Sequence, residues 1–263
     1  MSSGYHASAF SGTAKYYAQC RPPYPVELLT ELRTRAAVSG SGTLVDLASG
    51  PGRVAIPMAP YFSRVVAIDV EAEMIEVGRA VAADVGVANI DWRVGRAEAL
   101  QLPACSIELV TIGEAFHRLE QPRILASALE WLGPSGALAT LAGESPWHGR
   151  ALWQRAFVDV VNEWTHGALG EPADKHWGGP GDLFRGVGLR VSEYQLTQPQ
   201  RWTRESVVGF MLSTSIASHA ALGDRTSGFE AALSSALLKA VPGGEFRWLQ
   251  RFAFTLGVAA PGR

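Results

Sequence analysis

Short apolar segments alternate with helical patterns along the first half of the chain. In residues 71–85, for example, Met74, Val77, Val81 and Val85 recur at the spacing of one helical face. The pattern predicts strands over 43–47, 64–68, 90–94, 106–112 and 137–141, and helices over 28–36, 53–61, 71–85 and 121–132. Because strands that alternate with helices form βαβ units, we expect a doubly wound α/β fold with a parallel sheet.

The alternation stops after about residue 143. Helices are predicted over 153–164, 181–187, 203–213 and 229–241, and strands over 189–196 and 246–259. Thr203 stands at the N-cap position of the third of these helices, and Glu205 stands in its first turn. We therefore expect two late strands to finish the sheet, with a helical insertion between them.

These elements predict a single domain over residues 1–263. Its parts are an N-terminal segment with a helix (1–40), a core of alternating strands and helices (41–143), a helical insertion (144–180 and 200–245), and segments that complete the sheet (181–199 and 246–263). Aromatic rings of the insertion are expected to shape a pocket. Six of the eight tryptophans follow residue 142, namely Trp147, Trp153, Trp164, Trp177, Trp202 and Trp248.

Charge and composition narrow the expected partners. The chain has 23 Lys and Arg against 25 Asp and Glu, a net charge of −2, which offers no electrostatic footprint for nucleic acid. Cys20 and Cys105 are too few for a disulfide framework, which favours a reducing compartment. Residues 1–10 lack the features of a signal peptide, and no apolar stretch approaches the ~18 residues of a membrane span. We expect a cytoplasmic protein that does not bind membranes.

A glycine turn follows the first predicted strand. Gly50 and Gly52 allow a sharp turn and a close approach of the backbone to a ligand. Asp69 lies 19 residues after Gly50, at the end of the next strand, where a carboxylate can accept hydrogen bonds from ribose hydroxyls. The same spacing fits the dinucleotide fingerprint, so an NAD(P)-dependent oxidoreductase stays open as an alternative.

Other features around the turn favour S-adenosylmethionine over a dinucleotide. Asp46 lies four residues before Gly50, where a carboxylate suits a sulfonium and an ammonium group but is a poor neighbour for a pyrophosphate. Glu98 and the segment 95–100 follow the third predicted strand, where an adenine would lie. The chain also ends on a strand that follows an irregular insertion.

Four motifs in order carry a resemblance to a known family. They are residues 46–52, Val66-Ala67-Ile68-Asp69, residues 97–103 and Glu114-Ala115-Phe116-His117. Together they resemble class I S-adenosylmethionine-dependent methyltransferases, and above all the type 11 branch with its ubiquinone-type and trans-aconitate-type enzymes. Phe10-Ser11-Gly12, Tyr16-Tyr17 and residues 21–25 are similar to the segment that precedes the fold in that branch, and Trp202-Thr203 and Ser213-Thr214-Ser215 resemble its C-terminal part.

The resemblance implies roles for the parts of the domain, a fold and a reaction. Residues 1–40 would form an N-terminal lid and helix, 41–143 a cofactor-binding core, and 144–180 and 200–245 a helical cap over the substrate site. The resemblance also implies a Rossmann-like, doubly wound sheet of seven strands with the last strand antiparallel, S-adenosyl-L-methionine as cofactor, and methyl transfer to an O, N or C atom of a small molecule, with secondary metabolism as one setting. The cofactor-binding residues that it implies are Tyr17, Arg21, Asp46, Ala48, Ser49, Gly50, Asp69, Val70, Met74, Arg96, Ala97, Gly113 and Ala115. A non-catalytic S-adenosylmethionine-binding protein is a further alternative.

Two positions depart from the family pattern. Ala48 stands where the family usually has glycine, which is tolerable if φ is negative there. Arg96 stands where many members carry an aspartate that holds the adenine amino group, and a guanidinium cannot accept a hydrogen bond. The adenine contact is therefore expected from the backbone of Ala97.

Two groups of residues are candidates for chemistry and for closure. His117 follows the fourth strand and is a candidate general base or substrate-orienting residue, because imidazole titrates near neutral pH. Tyr16, Tyr17 and Arg21 are candidates for a lid in which Arg21 pairs with the methionine carboxylate. The remaining histidines are scattered, so we expect no metal site.

Overall fold

The computed structural model describes residues 10, 12–170 and 179–259. Trp177, which the sequence assigns to the cap, lies outside these residues. The chain divides into two compact units. The sheet unit comprises the described parts of Pro23–Gly143, Gly178–Leu196 and Phe252–Arg263, and the helical unit comprises those of Met1–Pro22, Glu144–Trp177 and Thr197–Arg251.

Seven strands of the described residues form one sheet in the order β3-β2-β1-β4-β5-β7-β6. The strands are β1 (Thr43–Leu47), β2 (Arg64–Asp69), β3 (Ile90–Val94), β4 (Ile107–Gly113), β5 (Leu132–Gly143), β6 (Leu189–Thr203) and β7 (Glu245–Ala259). The first five strands pair in parallel, and β7 pairs with β5 antiparallel. The predicted fold, a Rossmann-like sheet of seven strands with an antiparallel last strand, is thus confirmed.

Ten α-helices lie within the described residues. They are α1 (Ala14–Cys20), α2 (Val26–Arg35), α3 (Ala55–Met58), α4 (Ala72–Asp84), α5 (Gln121–Trp131), α6 (Leu152–Trp164), α7 (Gly181–Gly186), α8 (Arg204–Leu212), α9 (His219–Leu222) and α10 (Thr226–Ala240). Thr203 caps α8, since its hydroxyl accepts a hydrogen bond from the backbone N–H of Ser206. No helix in this part of the chain is long and apolar enough to cross a membrane.

Most predicted boundaries lie within two residues of the observed ones, with four larger differences. Helix α10 begins at Thr226, three residues before its predicted start. The helix expected over 53–61 is shorter, because α3 is followed by a 3-10 turn at Ala59–Tyr61. Strand β5 begins at Leu132 and includes the Gly133-Pro134 pair expected to separate it from α5. Strand β6 continues to Thr203, seven residues beyond its predicted end. The hydrophobic pattern does not predict this extension because the later residues of β6 are mostly polar and are exposed on alternate positions.

The two units have different cores. In the sheet unit, alternate residues of each strand point to opposite faces, so Leu44 packs in one buried cluster and Val45 in the other. Both of these clusters are largely aliphatic. In the helical unit, α6 packs against α10 around Phe157 and Phe229, in a core that is rich in Trp and Phe.

Candidate functional site

The order of the strands creates a crevice at the carboxyl ends of β1 and β4. These two strands are parallel neighbours, with Val45 opposite Val110, but the chain proceeds from β1 toward β2 on one side and from β4 toward β5 on the other. In open α/β sheets, ligands bind where the strand order reverses in this way. The residues that follow β1 and β4 are therefore the first place to look for a site.

A tight backbone turn follows β1. Gly50 and Gly52 have φ values of 54° and 86°, in the left-handed region that glycine tolerates. The N–H of Ser49, which is 8% exposed, donates to the carbonyl of Ile68 on β2 and holds the turn against the next strand. At Gly52 a Cβ atom would lie 2.7 Å from the indole ring of Trp92, so only glycine fits there without a shift.

Ala48 corrects one expectation from the sequence. Alanine is tolerable at this glycine position if φ is negative, but the φ of Ala48 is 51°. An L-residue pays roughly 1–2 kcal/mol for the left-handed conformation, so the packing of the turn overrides the local preference of alanine.

Asp69 connects the turn to the end of β2. Its Oδ2 accepts a hydrogen bond of 2.8 Å from the N–H of Gly50, and its Oδ1 accepts one of 2.9 Å from Glu71. Burial raises the pKa of this carboxyl group, while the backbone donors of Glu71, Gly50 and Val70 oppose the rise. Asp69 thus lies at the end of β2, where the sequence places it, and it also holds the turn, while the roles of Asp69 and Val70 toward a cofactor stay predictions.

Asp46 is buried under the same turn. Its Oδ1 accepts a hydrogen bond of 2.7 Å from the Thr111 hydroxyl, and its Oδ2 accepts one of 3.1 Å from the N–H of Ala55. Its pKa is raised to about 7, mainly by burial and in small part by the negative charge of Asp69, while the hydrogen bonds from Thr111 and Ala55 oppose the rise. The observed contacts tie β1 to β4 and to α3, while the role toward a methionine group stays a prediction.

Glu71 adds a carboxyl group that sequence reasoning did not select. It is the N-cap residue of α4, and its buried Oε1 has no hydrogen-bond partner within the described residues. Burial raises the pKa of Glu71, and the charges of Asp69 and Glu73 add to the rise. Met74, one turn along α4, is 3% exposed. The signal that could have found Glu71 is its position two residues after Asp69.

Arg96 has carboxylate partners that account for its place after β3. Its Nη2 lies 3.2 Å from Glu120 and 3.5 Å from Glu98. Glu98, which is buried, also accepts a hydrogen bond from the N–H of Glu120. Ala97 begins the following 3-10 turn and is buried, so the backbone route to adenine that the sequence predicts remains a prediction.

The end of β4 carries the residues expected near the transferred methyl group. Gly113 is its last residue, and a Cβ atom there would lie 3.2 Å from the hydroxyl oxygen of Tyr24. Ala115 is half-buried and precedes the 3-10 turn Phe116–Arg118. His117, on that turn, is exposed.

Three residues that sequence reasoning missed meet between the ends of β1 and β4. Arg53 Nη1 lies 3.5 Å from Glu114 Oε1, and both side chains are largely buried, at 13% and 21% exposure. The Arg53 guanidinium also lies over the ring of Tyr24, 4.6 Å from its centroid. Arg53 and Glu114 each stand in a recognisable motif, but only the topology brings residues 24, 53 and 114 together.

Tyr17 and Arg21, the candidates for the lid, belong to the helical unit. The Arg21 guanidinium lies 4.3 Å from the centroid of the Tyr17 ring and 5.1 Å from that of Phe210. Its Nε donates a hydrogen bond of 3.0 Å to the hydroxyl of Ser213. The role of these residues toward a cofactor stays a prediction.

The groups around the β1 turn fit a nucleoside ligand that carries hydroxyls and a positive charge. Asp46, Asp69 and Glu71 are acceptors when ionised, and Asp69 acts electrostatically on both of the others. The neighbouring cation, Arg53, is paired with Glu114. Because clustered carboxylates repel a pyrophosphate and attract a cation, the arrangement suits S-adenosylmethionine better than a dinucleotide. The described residues contain no group of three or more His, Cys, Asp and Glu side chains placed to hold a metal ion.

Comparison with known proteins adds to this geometry. Residues 44–136 match the family model described as a methyltransferase domain. UbiE of Rubrivivax gelatinosus, a ubiquinone/menaquinone biosynthesis C-methyltransferase, is 35% identical over 128 residues, which are 48% of this chain and 48% of UbiE. The chain therefore spans about half the length of the curated relatives it matches first.

YcgJ of Bacillus subtilis is similar in both sequence and structure. This uncharacterized methyltransferase is 31% identical over 80 residues, which are 30% of this chain and 32% of YcgJ. Its crystal structure superimposes with a TM-score of 0.56 at 17% identity, covering 90% of this chain and 99% of that chain. At that identity the superposition speaks for the fold alone.

Proposed function

We propose that the chain is a class I S-adenosylmethionine-dependent methyltransferase and that it transfers a methyl group to a small molecule. The observation that carries the proposal is the set of carboxyl groups around the turn after β1, formed by Asp46, Asp69 and Glu71. When bound, S-adenosylmethionine supplies a methyl group on a cationic sulfur.

The proposal gives each part of the site a role. Asp69 accepts hydrogen bonds from the ribose hydroxyls, and Asp46 stabilises the positive charge at the methionine end. The backbone of the turn at Ala48, Ser49 and Gly50 lies along the ligand. The adenine is held by Val70, Met74, Arg96 and Ala97, and the methyl site is bordered by Gly113 and Ala115.

The net charge of the chain and a relative of similar sequence support a small-molecule acceptor. The net charge of −2 offers no general attraction for a nucleic-acid backbone. The relative UbiE is described as a C-methyltransferase of quinone biosynthesis, which supports a ring compound as the acceptor. We assign His117, which is exposed beyond the end of β4, to orienting that acceptor.

Calorimetric titration with S-adenosylhomocysteine tests the cofactor assignment. The wild type should bind one equivalent and show no binding of NAD or NADP. Asp69→Asn should weaken binding by about 10- to 100-fold, because a charge-assisted hydrogen bond contributes about 1.5–3 kcal/mol. Asp84→Asn, at the exposed end of α4, is the matched control and should bind like the wild type.

Two results would contradict the proposal. Binding of NAD or NADP without binding of S-adenosylhomocysteine would reassign the turn to a dinucleotide. Equal affinity of the wild type and Asp69→Asn, with both proteins folded by circular dichroism, would remove Asp69 from the site.

A further inference from the structure

Two residues other than glycine occupy the left-handed region directly after the strands that border the crevice. Ala48 follows β1 with a φ of 51°, and Glu114 follows β4 with a φ of 56°. Backbone strain of this kind is retained where the surrounding structure imposes it, and it clusters at functional sites. At Ala48 the side chain is a methyl group, but at Glu114 the strained position presents a carboxylate.

The surroundings of Glu114 are built to accommodate that carboxylate. The N–H of Glu114 donates a hydrogen bond of 2.8 Å to the carbonyl of Leu141 on β5, which fixes the backbone. A Cβ atom at Gly143 would lie 3.1 Å from Glu114 Oε1, so the glycine at the end of β5 leaves room for the side chain. Arg53 then reaches the same Oε1 atom from the turn after β1.

Arg53 is in turn held by Tyr24. The ring of Tyr24 lies under the guanidinium, and its hydroxyl lies where a side chain at Gly113 would begin. A cation over an aromatic face is attracted by the ring and restrained in its orientation. The ends of β1, β4 and β5 thus converge on one largely buried, ordered ion pair in the crevice.

We propose that Glu114 is the catalytic residue that removes the proton from a hydroxyl group of the methyl acceptor, and that Arg53 and Tyr24 are positioning residues that hold it. This inference rests on the proposed methyl transfer and deepens it by naming an alcohol or a phenol as the acceptor. A carboxylate within hydrogen-bond reach of a reacting hydroxyl acts as a general base.

The charge of Arg53 favours a hydroxyl acceptor over an amine. A guanidinium 3.5 Å from the carboxylate repels a protonated amine but stabilises the negative charge that develops on a hydroxyl oxygen. In the reaction, the O–H bond breaks and its proton goes to a Glu114 oxygen. The hydroxyl oxygen forms a bond to the methyl carbon, and the carbon–sulfur bond breaks with its electron pair kept by sulfur.

The other titratable groups near the crevice are less suited to this role. Asp46 is buried and accepts hydrogen bonds from Thr111 and Ala55 through its two oxygens. His117 is exposed, one turn beyond the end of β4. Arg53 faces Glu114 from the turn after β1, and the ring of Tyr24 lies behind Arg53.

Methyl transfer from labelled S-adenosylmethionine to three probes tests the assignment. The probes are catechol for a hydroxyl acceptor, aniline for an amine and indole for a carbon acceptor. The wild type should methylate catechol, and Glu114→Gln should lower kcat by at least about 100-fold, the usual contribution of a general base. Because glutamine has nearly the same shape as glutamate, the affinity of Glu114→Gln for S-adenosylhomocysteine should stay within about twofold of the wild-type affinity, as measured by calorimetry. Glu76→Gln, on the exposed side of α4, is the matched control and should keep the wild-type kcat.

The pH profile separates the base from its positioning residues. In the wild type, kcat/KM should fall as pH decreases and Glu114 becomes protonated, and this acid limb should disappear in Glu114→Gln. Arg53→Met should lower kcat and move the acid limb, and Arg53→Lys should restore part of both because it keeps a positive charge. A role of Arg53 in folding alone would lower the yield of active protein without moving the limb.

The possible failures are distinguishable. A wild type that does not bind S-adenosylhomocysteine contradicts the proposed function, and this inference with it. A wild type that binds it but methylates aniline or indole and not catechol, or none of the three, overturns the hydroxyl assignment alone. Wild-type kcat and pH profile in Glu114→Gln would overturn the assignment of Glu114.

Discussion

The sheet unit and the helical unit bury different kinds of hydrophobic side chain. In the sheet unit, aliphatic residues such as Leu44 and Val45 fill the two faces of the strands, which leaves the strand ends for turns and carboxyl groups. In the helical unit, the ring of Trp153 packs against Phe246 and that of Trp202 against Phe210. Residues 44–136, which match the methyltransferase family model, lie entirely in the sheet unit. The difference teaches that the region matching the family model places its buried carboxyl groups at turns after strands, while the aromatic residues of the helical unit indicate packing.

The largest expected effect is in the aromatic core. Phe157 is fully buried on α6, so Phe157→Ala should lower the free energy of unfolding by about 3–5 kcal/mol, the usual cost of removing a buried ring. Leu152, at the start of the same helix, is 72% exposed, and Leu152→Ala should change it by less than about 0.5 kcal/mol. Urea denaturation measures both. Equal effects would show that packing of rings does not hold this unit together.

In the sheet unit, a substitution in the short turn after β1 should clearly lower the free energy of unfolding. Gly52→Ala combines a φ of 86° with a Cβ atom 2.7 Å from Trp92, so we expect a loss of about 2–4 kcal/mol from backbone strain and overpacking. It should also weaken the binding of S-adenosylhomocysteine. Gly86→Ala, with a φ of 73° and no atom within 4 Å of the added carbon, should lose only the backbone part. Unfolding curves that coincide for the two variants would mean that Trp92 yields to the new methyl group.

Asp46 should give the sheet unit a characteristic dependence on pH. Its pKa is about 7 in the folded chain, against an ordinary value of 3.8. Between these two values the folded state holds a proton that the unfolded chain releases, so stability falls as pH rises from about 4 to about 7. Asp46→Asn cannot titrate, and the Thr111 hydroxyl can turn to accept from its amide. Over that pH range, the free energy of unfolding of Asp46→Asn should rise relative to that of the wild type by roughly 2–4 kcal/mol.

Asp91 is the control for the direction of this effect. Hydrogen bonds from Arg93 and Arg64 lower its pKa, so its contribution is present above the ordinary value and is lost as pH falls. Relative to the wild type, Asp91→Asn should therefore lose stability as pH rises through the acid range. This change is smaller than the one expected for Asp46→Asn and has the opposite sign. Thermal melts of the three proteins from about pH 2.5 to about pH 8 compare them, because the effect of Asp91 lies below its ordinary pKa of 3.8 and that of Asp46 above it. The same slope in Asp46→Asn and the wild type would contradict the buried position of this carboxyl group.

The smallest effect is expected at Ala48. Ala48→Gly relieves a left-handed residue at a cost in chain entropy, so it should raise stability by up to about 1 kcal/mol. Ala37→Gly, at an exposed residue with a φ of 51°, should give a similar gain. Ala83→Gly, inside α4, should instead lose about 1 kcal/mol. Chemical denaturation with replicate curves resolves these values, and a loss in Ala48→Gly would show that the turn is not strained.

Much of the fold could be predicted because the hydrophobic pattern is local. Strands β1 and β3 begin and end at the predicted residues, since short apolar runs between turns leave little choice of boundary. The turn with Gly50 and the position of Asp69 are also predictable, because each lies at the end of such a short apolar run. What the pattern cannot supply is the sign of φ at Ala48, because packing of the turn decides it against the preference of the residue.

The rest of the site depends on contacts between distant residues. Tyr24, Arg53 and Glu114 come from three separate segments, and only the strand order places them together. Glu71 was passed over because a glutamate at the start of a helix is common, and its significance lies in a buried oxygen atom that has no partner within the described residues. Side chains whose role depends on such contacts carry no periodic signal in the sequence.

The most direct test of the central claim is the fate of the cofactor methyl group. The chain is incubated with S-adenosylmethionine that carries a trideuterated methyl group and with a mixture of phenols, amines and quinones, and the products are analysed by mass spectrometry. The account predicts a small molecule that has gained one labelled methyl group, in an amount matched by the S-adenosylhomocysteine formed. Tight binding of S-adenosylhomocysteine without any labelled product would contradict it and would leave a protein that binds the cofactor but does not use it.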